Sequence, residues 1–166
     1  MSNRSRTYQQ LWRQMDHERR RQAATAFFTS METASEQRRV AGLIATRLNL
    51  RPQKAAKLPT DKAAAYLSSI ESVDESLAAL LIRTYLLARQ EPMLVMFLEE
   101  LKIPHQSGVI PDGNTAVPTA GELRAAIERI RTAFSPEDVQ FYLSALSVGD
   151  DATWTNLGTA LTHEDA

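Results

Sequence analysis

The sequence predicts an all-α protein, and three observations carry the prediction. Gly is scarce, at 6 of 166 residues, while Ala, Leu, Arg, Gln and Glu, all good helix formers, are common. Four stretches pair a hydroxyl with an acid three residues on: Thr33-Ala-Ser-Glu36, Ser72-Val-Asp-Glu75, Thr119-Ala-Gly-Glu122 and Ser135-Pro-Glu-Asp138. In each, the hydroxyl can accept an orphan N–H of a first helical turn while the acid reaches back to the chain before it. Apolar residues then recur at three- and four-residue spacing, the period of an amphipathic helix. The expected architecture is a compact multi-helix bundle, or stacked helical hairpins, of eight to nine helices in a single domain over residues 1–166.

Taken in order, the first helix is expected from about Ser5 to Ser30, as a helical arm with the stripe Tyr8, Leu11, Trp12, Met15, then Ala23, Ala26 and Phe27, interrupted by Arg19, Arg20 and Arg21. The second runs from about Glu36 to Leu48, with Val40, Leu43, Ile44 and Leu48 on one face. A short piece follows Pro52, and another spans Thr60 to Ile70. From Asp74 to Gln90 the chain is apolar on nearly every face, as buried helices are. Pro92 ends or kinks that helix, and Met93 to Lys102 continues with Met96, Phe97, Leu98 and Leu101. These two helices are expected at the centre of the core, with Leu81 and Phe97 fully inside.

Residues 103–118, with three Pro and two Gly, read as the one long internal loop, turning at Pro111-Asp-Gly-Asn. Three shorter helices follow, on Leu123/Ala126/Ile127/Ile130/Phe134, on Val139/Tyr142/Leu143/Leu146, and on Trp154/Leu157/Leu161. Residues from His163 onward are expected to fray. A faint echo joins Ile82, Tyr85, Leu86 and Phe97 to Val139, Tyr142, Leu143 and Trp154 at an offset of 57 residues. Stacked helical hairpins would give such a pattern.

Composition excludes several classes. There is no Cys, hence no disulfide, thiolate metal site or Cys nucleophile. Even the purely apolar run Met93 to Leu98, which no other exceeds, is far short of a membrane span. The N-terminal segment around Tyr8-Gln-Gln-Leu-Trp-Arg lacks the apolar region of a signal peptide. The expected setting is cytoplasmic, with no membrane partner. No cofactor is expected: phosphate loop, nucleophile elbow and Rossmann fingerprint are all missing.

The charge is segregated. Residues 1–62 hold 13 Lys and Arg against 5 acids, a net +8, and residues 63–166 hold 6 against 15, a net −9. Such a field attracts an opposite charge, either a polyanion or the other half of the same fold or a second copy.

The most specific local pattern runs from Ile44 to Leu58: Ile44-Ala45-Thr-Arg-Leu48-Asn49-Leu50-Arg-Pro-Gln-Lys-Ala55-Ala-Lys-Leu58. Over about twenty residues it resembles a helix-turn-helix. The resemblance implies a close helix crossing at Ala45, a left-handed turn at Asn49 where the family usually has Gly, a turn plug at Leu50, and packing by Ala55 and Leu58. Arg47, Arg51, Gln53, Lys54 and Lys57 would then face outward, where a recognition helix meets phosphates and base edges. Two departures stand out: Ala55 is smaller than the usual branched residue, and Pro59 cuts the second helix short.

Other constellations are weaker. Asp16, His17 and Glu18 are consecutive, so on a helix they splay around the axis and cannot share a metal. No Glu-x-x-His occurs, which disfavours a di-metal bundle. His105 lies in the Pro/Gly loop with Asp112; a loop His beside an apolar core could act as a general base, but is more simply read as exposed or as stabilising the loop. Asp150 and Asp151 read as an N-cap, Glu99 and Glu100 as a solvated face, and Met93 and Met96 as core filling. The expected function is a non-catalytic helical protein-interaction module that binds itself or another protein, with Tyr8, Leu11, Trp12 and Met15 as the partner-binding stripe. The alternative is a DNA-binding protein using residues 44–58. An enzyme built on His105 ranks third.

Overall fold

In the computed structural model the described residues are 6–111, 116–148 and 152–162. Among them the chain forms ten α-helices and one 3-10 turn, and its only β feature is an isolated bridge between Gln106 and Val109. No helix of these residues is long and apolar enough to cross a membrane. The protein is all-α, as its composition and capping signals predict.

The chain divides into two compact units, Thr7–Arg89 and Gln90–Ala166, the latter counted with the residues up to Arg6. The first holds α1 (Tyr8–Gln14), α2 (His17–Thr29), α3 (Ala34–Leu48), α4 (Pro52–Ala56), α5 (Thr60–Ser68) and α6 (Glu75–Arg89). The second holds α7 (Glu91–Glu100), α8 (Ala120–Ala133), α9 (Pro136–Val148), the 3-10 turn Ala152–Trp154 and α10 (Leu157–Thr162). The boundary falls at the Gln90–Pro92 break, so α6 and α7 serve two cores, one each. Leu81 and Phe97 are both fully buried, each in its own unit.

In the first unit α2 is the central helix, packed on α5 and α6. It buries Ala23, Ala24 and Ala26, small residues that let the helix axes approach, together with the large ring of Phe27. The long first helix expected from Ser5 to Ser30 is in fact two helices (Ser5 itself lies outside the described residues). Asp16 stops it: its side chain accepts the Arg19 N–H at 2.7 Å and starts α2 anew, while Met15 is extended. A short polar side chain that can cap competes with helix continuation at the same residue. Thr7 and Gln10 form a reciprocal capping box at the start of α1.

The first unit also corrects two capping assignments. Thr33 does not cap α3; its hydroxyl donates to the Phe27 and Ser30 carbonyls, and the Gln37 amide donates to the same two. The pair seals the C-terminal end of α2 instead. At α6 the cap is Asp74, accepting the Leu77 N–H at 2.8 Å, and Ser72 accepts from Arg13.

In the second unit α8 packs on α7 and α10. Thr119 and Glu122 make the capping box expected at α8, and Ser135 accepts the Asp138 N–H at α9. Phe97 is the hub, with the Tyr142 ring edge-on at 5.4 Å and the Trp154 ring tilted at 5.7 Å. Burial pushes the Tyr142 phenol well above its ordinary value, because the phenolate would have to ionise in the core. Of the two segments joined by the 57-residue echo, Ile82 to Phe97 straddles the unit boundary and Val139 to Trp154 lies within one unit.

Candidate nucleic-acid interface

The corner between α3 and α4 is built by Asn49. It sits in the left-handed region, φ 54 and ψ 41, and the Leu50 N–H returns to the Ala45 carbonyl at 2.9 Å. The Ala45 carbonyl also accepts the Asn49 N–H, so two donors converge on it and close the helix end. Asn tolerates this backbone better than most residues because its short side chain is compatible with it. Arg51 then caps α4 in extended geometry and Pro52 occupies the first turn, where its missing N–H costs nothing. Ala45 and Ala55 are buried, so α4 lies on α3 through small side chains. Leu50 and Leu58 are half-buried.

The turn agrees with the helix-turn-helix resemblance; the second helix does not. α4 is five residues long, about 7.5 Å at 1.5 Å per residue. Pro59 is the reason, since it disfavours helical geometry at Leu58 and lacks the N–H to continue. A helix of one and a half turns does not extend along a major groove, so base readout of the recognition-helix kind loses its platform.

The cations remain. Arg47, Arg51, Gln53, Lys54 and Lys57 are all exposed. Among the described residues none of the four cations forms an ion pair, and no acid occurs anywhere between Val40 and Thr60. The same unit does compensate a cation elsewhere. Arg39 reaches Asp74 at 2.8 Å and Glu36 at 2.9 Å, and these carboxylates hold its guanidinium above the ordinary value, Asp74 first. Asp74 in turn is held below the ordinary carboxylate value by the Leu77 N–H and then by Arg39. Counted by unit, Thr7–Arg89 carries 13 basic against 8 acidic residues, +5, and the rest of the chain 6 against 12, −6.

The stripe expected to meet a partner is inside. Leu11, Trp12 and Met15 are 3%, 0% and 5% exposed, and Tyr8 is half-buried. Trp12 Nε1 donates to the Ile70 carbonyl at 2.8 Å, and Gln9 Nε2 to the Val73 carbonyl at 2.9 Å. Glu75 accepts the N–H groups of Tyr8 and Gln9. The arm is therefore docked on its own unit, along the 70–75 connection, and offers a partner no apolar face through these residues.

His105 braces a turn. Its Nδ1 accepts the Gly108 N–H at 3.2 Å, its ring is 13% exposed, and its Nε2 stands 3.9 Å from Glu99. Gln106 and Val109 exchange both backbone hydrogen bonds around Ser107 and Gly108, whose φ values are 50 and 87. A two-residue hairpin turn therefore lies here, with both central residues at positive φ. Asp112, the Pro111-Asp-Gly-Asn turn, Asp150, Asp151 and His163 lie outside the described residues. Among the described residues no group of three or more His, Asp or Glu could hold a metal.

Sequence reasoning missed one outward face. On α5 the residues Ala63, Ala64, Leu67 and Ser68 are buried, and Lys62, Tyr66 and Ser69 are exposed opposite them. The spacing 62, 66, 69 is a helix-face period and was legible as such. On Arg20 of α2, Nε and Nη1 are shielded from solvent and have no acceptor.

Comparison with family models, with curated proteins and with solved structures gives no match to this chain.

Proposed function

We propose that this chain is a non-catalytic binding module that holds nucleic acid by its phosphate backbone, through the α3–α4 corner. The observation that carries the reading is four exposed cations, Arg47, Arg51, Lys54 and Lys57, on either side of the Asn49 turn, none of which forms an ion pair among the described residues. Phosphate contact needs density of positive charge and no sequence readout. The brevity of α4 supports binding that is indifferent to sequence. A cytoplasmic setting belongs to the same proposal.

The test is fluorescence anisotropy on labelled duplex of arbitrary sequence at about 50 mM salt, where electrostatic association is strong. The wild type is expected to bind, and Lys54→Glu with Lys57→Glu to abolish binding while the helical circular dichroism is unchanged. Absence of binding by the wild type contradicts the reading.

Self-association is a second reading, favoured by the opposite net charges of the two units, +5 and −6. The acidic unit of one copy would meet the basic corner of another. Sedimentation that shows a larger species at low salt, dissolved by high salt, supports it; a monomer at every salt concentration counts against it.

A further inference from the structure

A further exposed cation, Lys62, follows Lys57 in the chain, next to the exposed acid Asp61. Leu58 and Pro59 lead directly into α5, so Lys62 lies within about 17 Å of Lys57 along even a fully extended chain. Lys62 and Tyr66 are neighbours at i, i+4 on the outward face of α5. Tyr66 is 39% exposed, and of the exposed large hydrophobics among the described residues, with Met31, Val109 and Val117, it alone carries a ring. Every nucleic-acid base has a π-face that stacks on such a ring, but in a duplex those faces are taken up by neighbouring bases. α4 is too short to read a groove, whereas an exposed Tyr one turn from Lys62, on the helix that directly follows the basic corner, suits a strand whose bases are free.

We propose that this surface prefers single-stranded nucleic acid, with Tyr66 stacking on a base while Lys62 joins Arg47, Arg51, Lys54 and Lys57 on the phosphates. The inference rests on the phosphate-binding reading of the corner and adds the form of nucleic acid that it takes. Single-strand binding through Tyr66 is expected to be indifferent to base identity, because stacking does not distinguish hydrogen-bonding edges.

The experiment compares oligothymidylate with a duplex of equal length, by anisotropy, on the full-length chain. The variants are Tyr66→Ala, Tyr66→Phe, and Lys54→Glu with Lys57→Glu, each checked for unchanged helical signal and melting temperature. The expected result is tighter binding of the single strand, weakened about tenfold or more by Tyr66→Ala and retained by Tyr66→Phe, with duplex binding altered less than about twofold by either. Equal affinity for the two forms, or a Tyr66→Ala effect the same on both, overturns the proposal. Failure to bind either form overturns the phosphate reading with it. Duplex binding that depends on Lys54 and Lys57 but leaves Tyr66 without effect on the single strand overturns this inference alone.

Discussion

Glu75, the first residue of α6, accepts the backbone N–H of Tyr8 at 2.8 Å, and its other oxygen accepts that of Gln9 at 3.1 Å. With Gln10 Oε1 on the Thr7 N–H and Thr7 Oγ1 on the Gln10 N–H, every orphan donor at the start of α1 is satisfied. A carboxylate 66 or 67 residues away does work that a seven-residue helix cannot do for itself.

Glu75→Ala therefore exposes two helix-start donors and removes a favourable anion from the positive end of α1. The expected loss is about 1 kcal/mol, since water can take over part of the bonding at this exposed site. Urea denaturation measures it. Stability equal to wild type would mean that the 66-residue contact does not fasten α1.

Trp12→Phe keeps most of the apolar volume and deletes the donor to the Ile70 carbonyl. A buried acceptor is left unpaired beside a small void, with an expected cost of about 2–3 kcal/mol. The same denaturation experiment reads it. If Trp12 were on a partner-facing arm, the monomer would lose little.

Asp74 gives a pH prediction with a definite sign. Its folded value lies below its unfolded one, because it accepts the Leu77 N–H and pairs with Arg39. Its stabilising contribution is therefore complete above the unfolded value of about 4 and is lost as pH falls through the folded value. The side chain is 48% exposed, so solvent screening keeps the ion-pair part below about 1 kcal/mol. Asp74→Asn retains a capping oxygen but should flatten the stability profile below about pH 4. A profile as steep as that of wild type would assign the acid sensitivity to other carboxylates.

Asn49→Gly should raise stability by a few tenths to about 1 kcal/mol, because Gly adopts the left-handed backbone without a Cβ penalty. Asn49→Val should lower it by more than that. A destabilising Gly would show that the Asn49 side chain contributes beyond its backbone.

What the sequence made legible was local. Helix starts at Thr119 and Ser135 and the burial of Leu81 and Phe97 follow from spacing and residue chemistry, the left-handed turn at Asn49 from the helix-turn-helix resemblance, and each appears in the structure. What it hid depends on competition between neighbours. Asp16 can extend a helix or cap the next one, and the cap wins. Thr33, three residues before Glu36, finds the end of α2 nearer than the start of α3. Ser72 looks like a cap, but Asp74 occupies that role and frees Glu75 for α1. Above all, an amphipathic stripe says that a face must be covered and not what covers it, so the Tyr8 to Met15 stripe could not be distinguished from an exposed arm. The exposed cations of the corner were legible by type and number; their lack of acidic partners needed the fold.

The central claim is that the α3–α4 corner meets phosphates, and the salt dependence of duplex binding tests it most directly. Four released counterions give a slope of about −3.6 in a plot of log affinity against log salt concentration. Replacing Lys54 and Lys57 by Ala should cut that slope by about half. A flat salt dependence, or a slope unchanged by the two substitutions, would contradict the account.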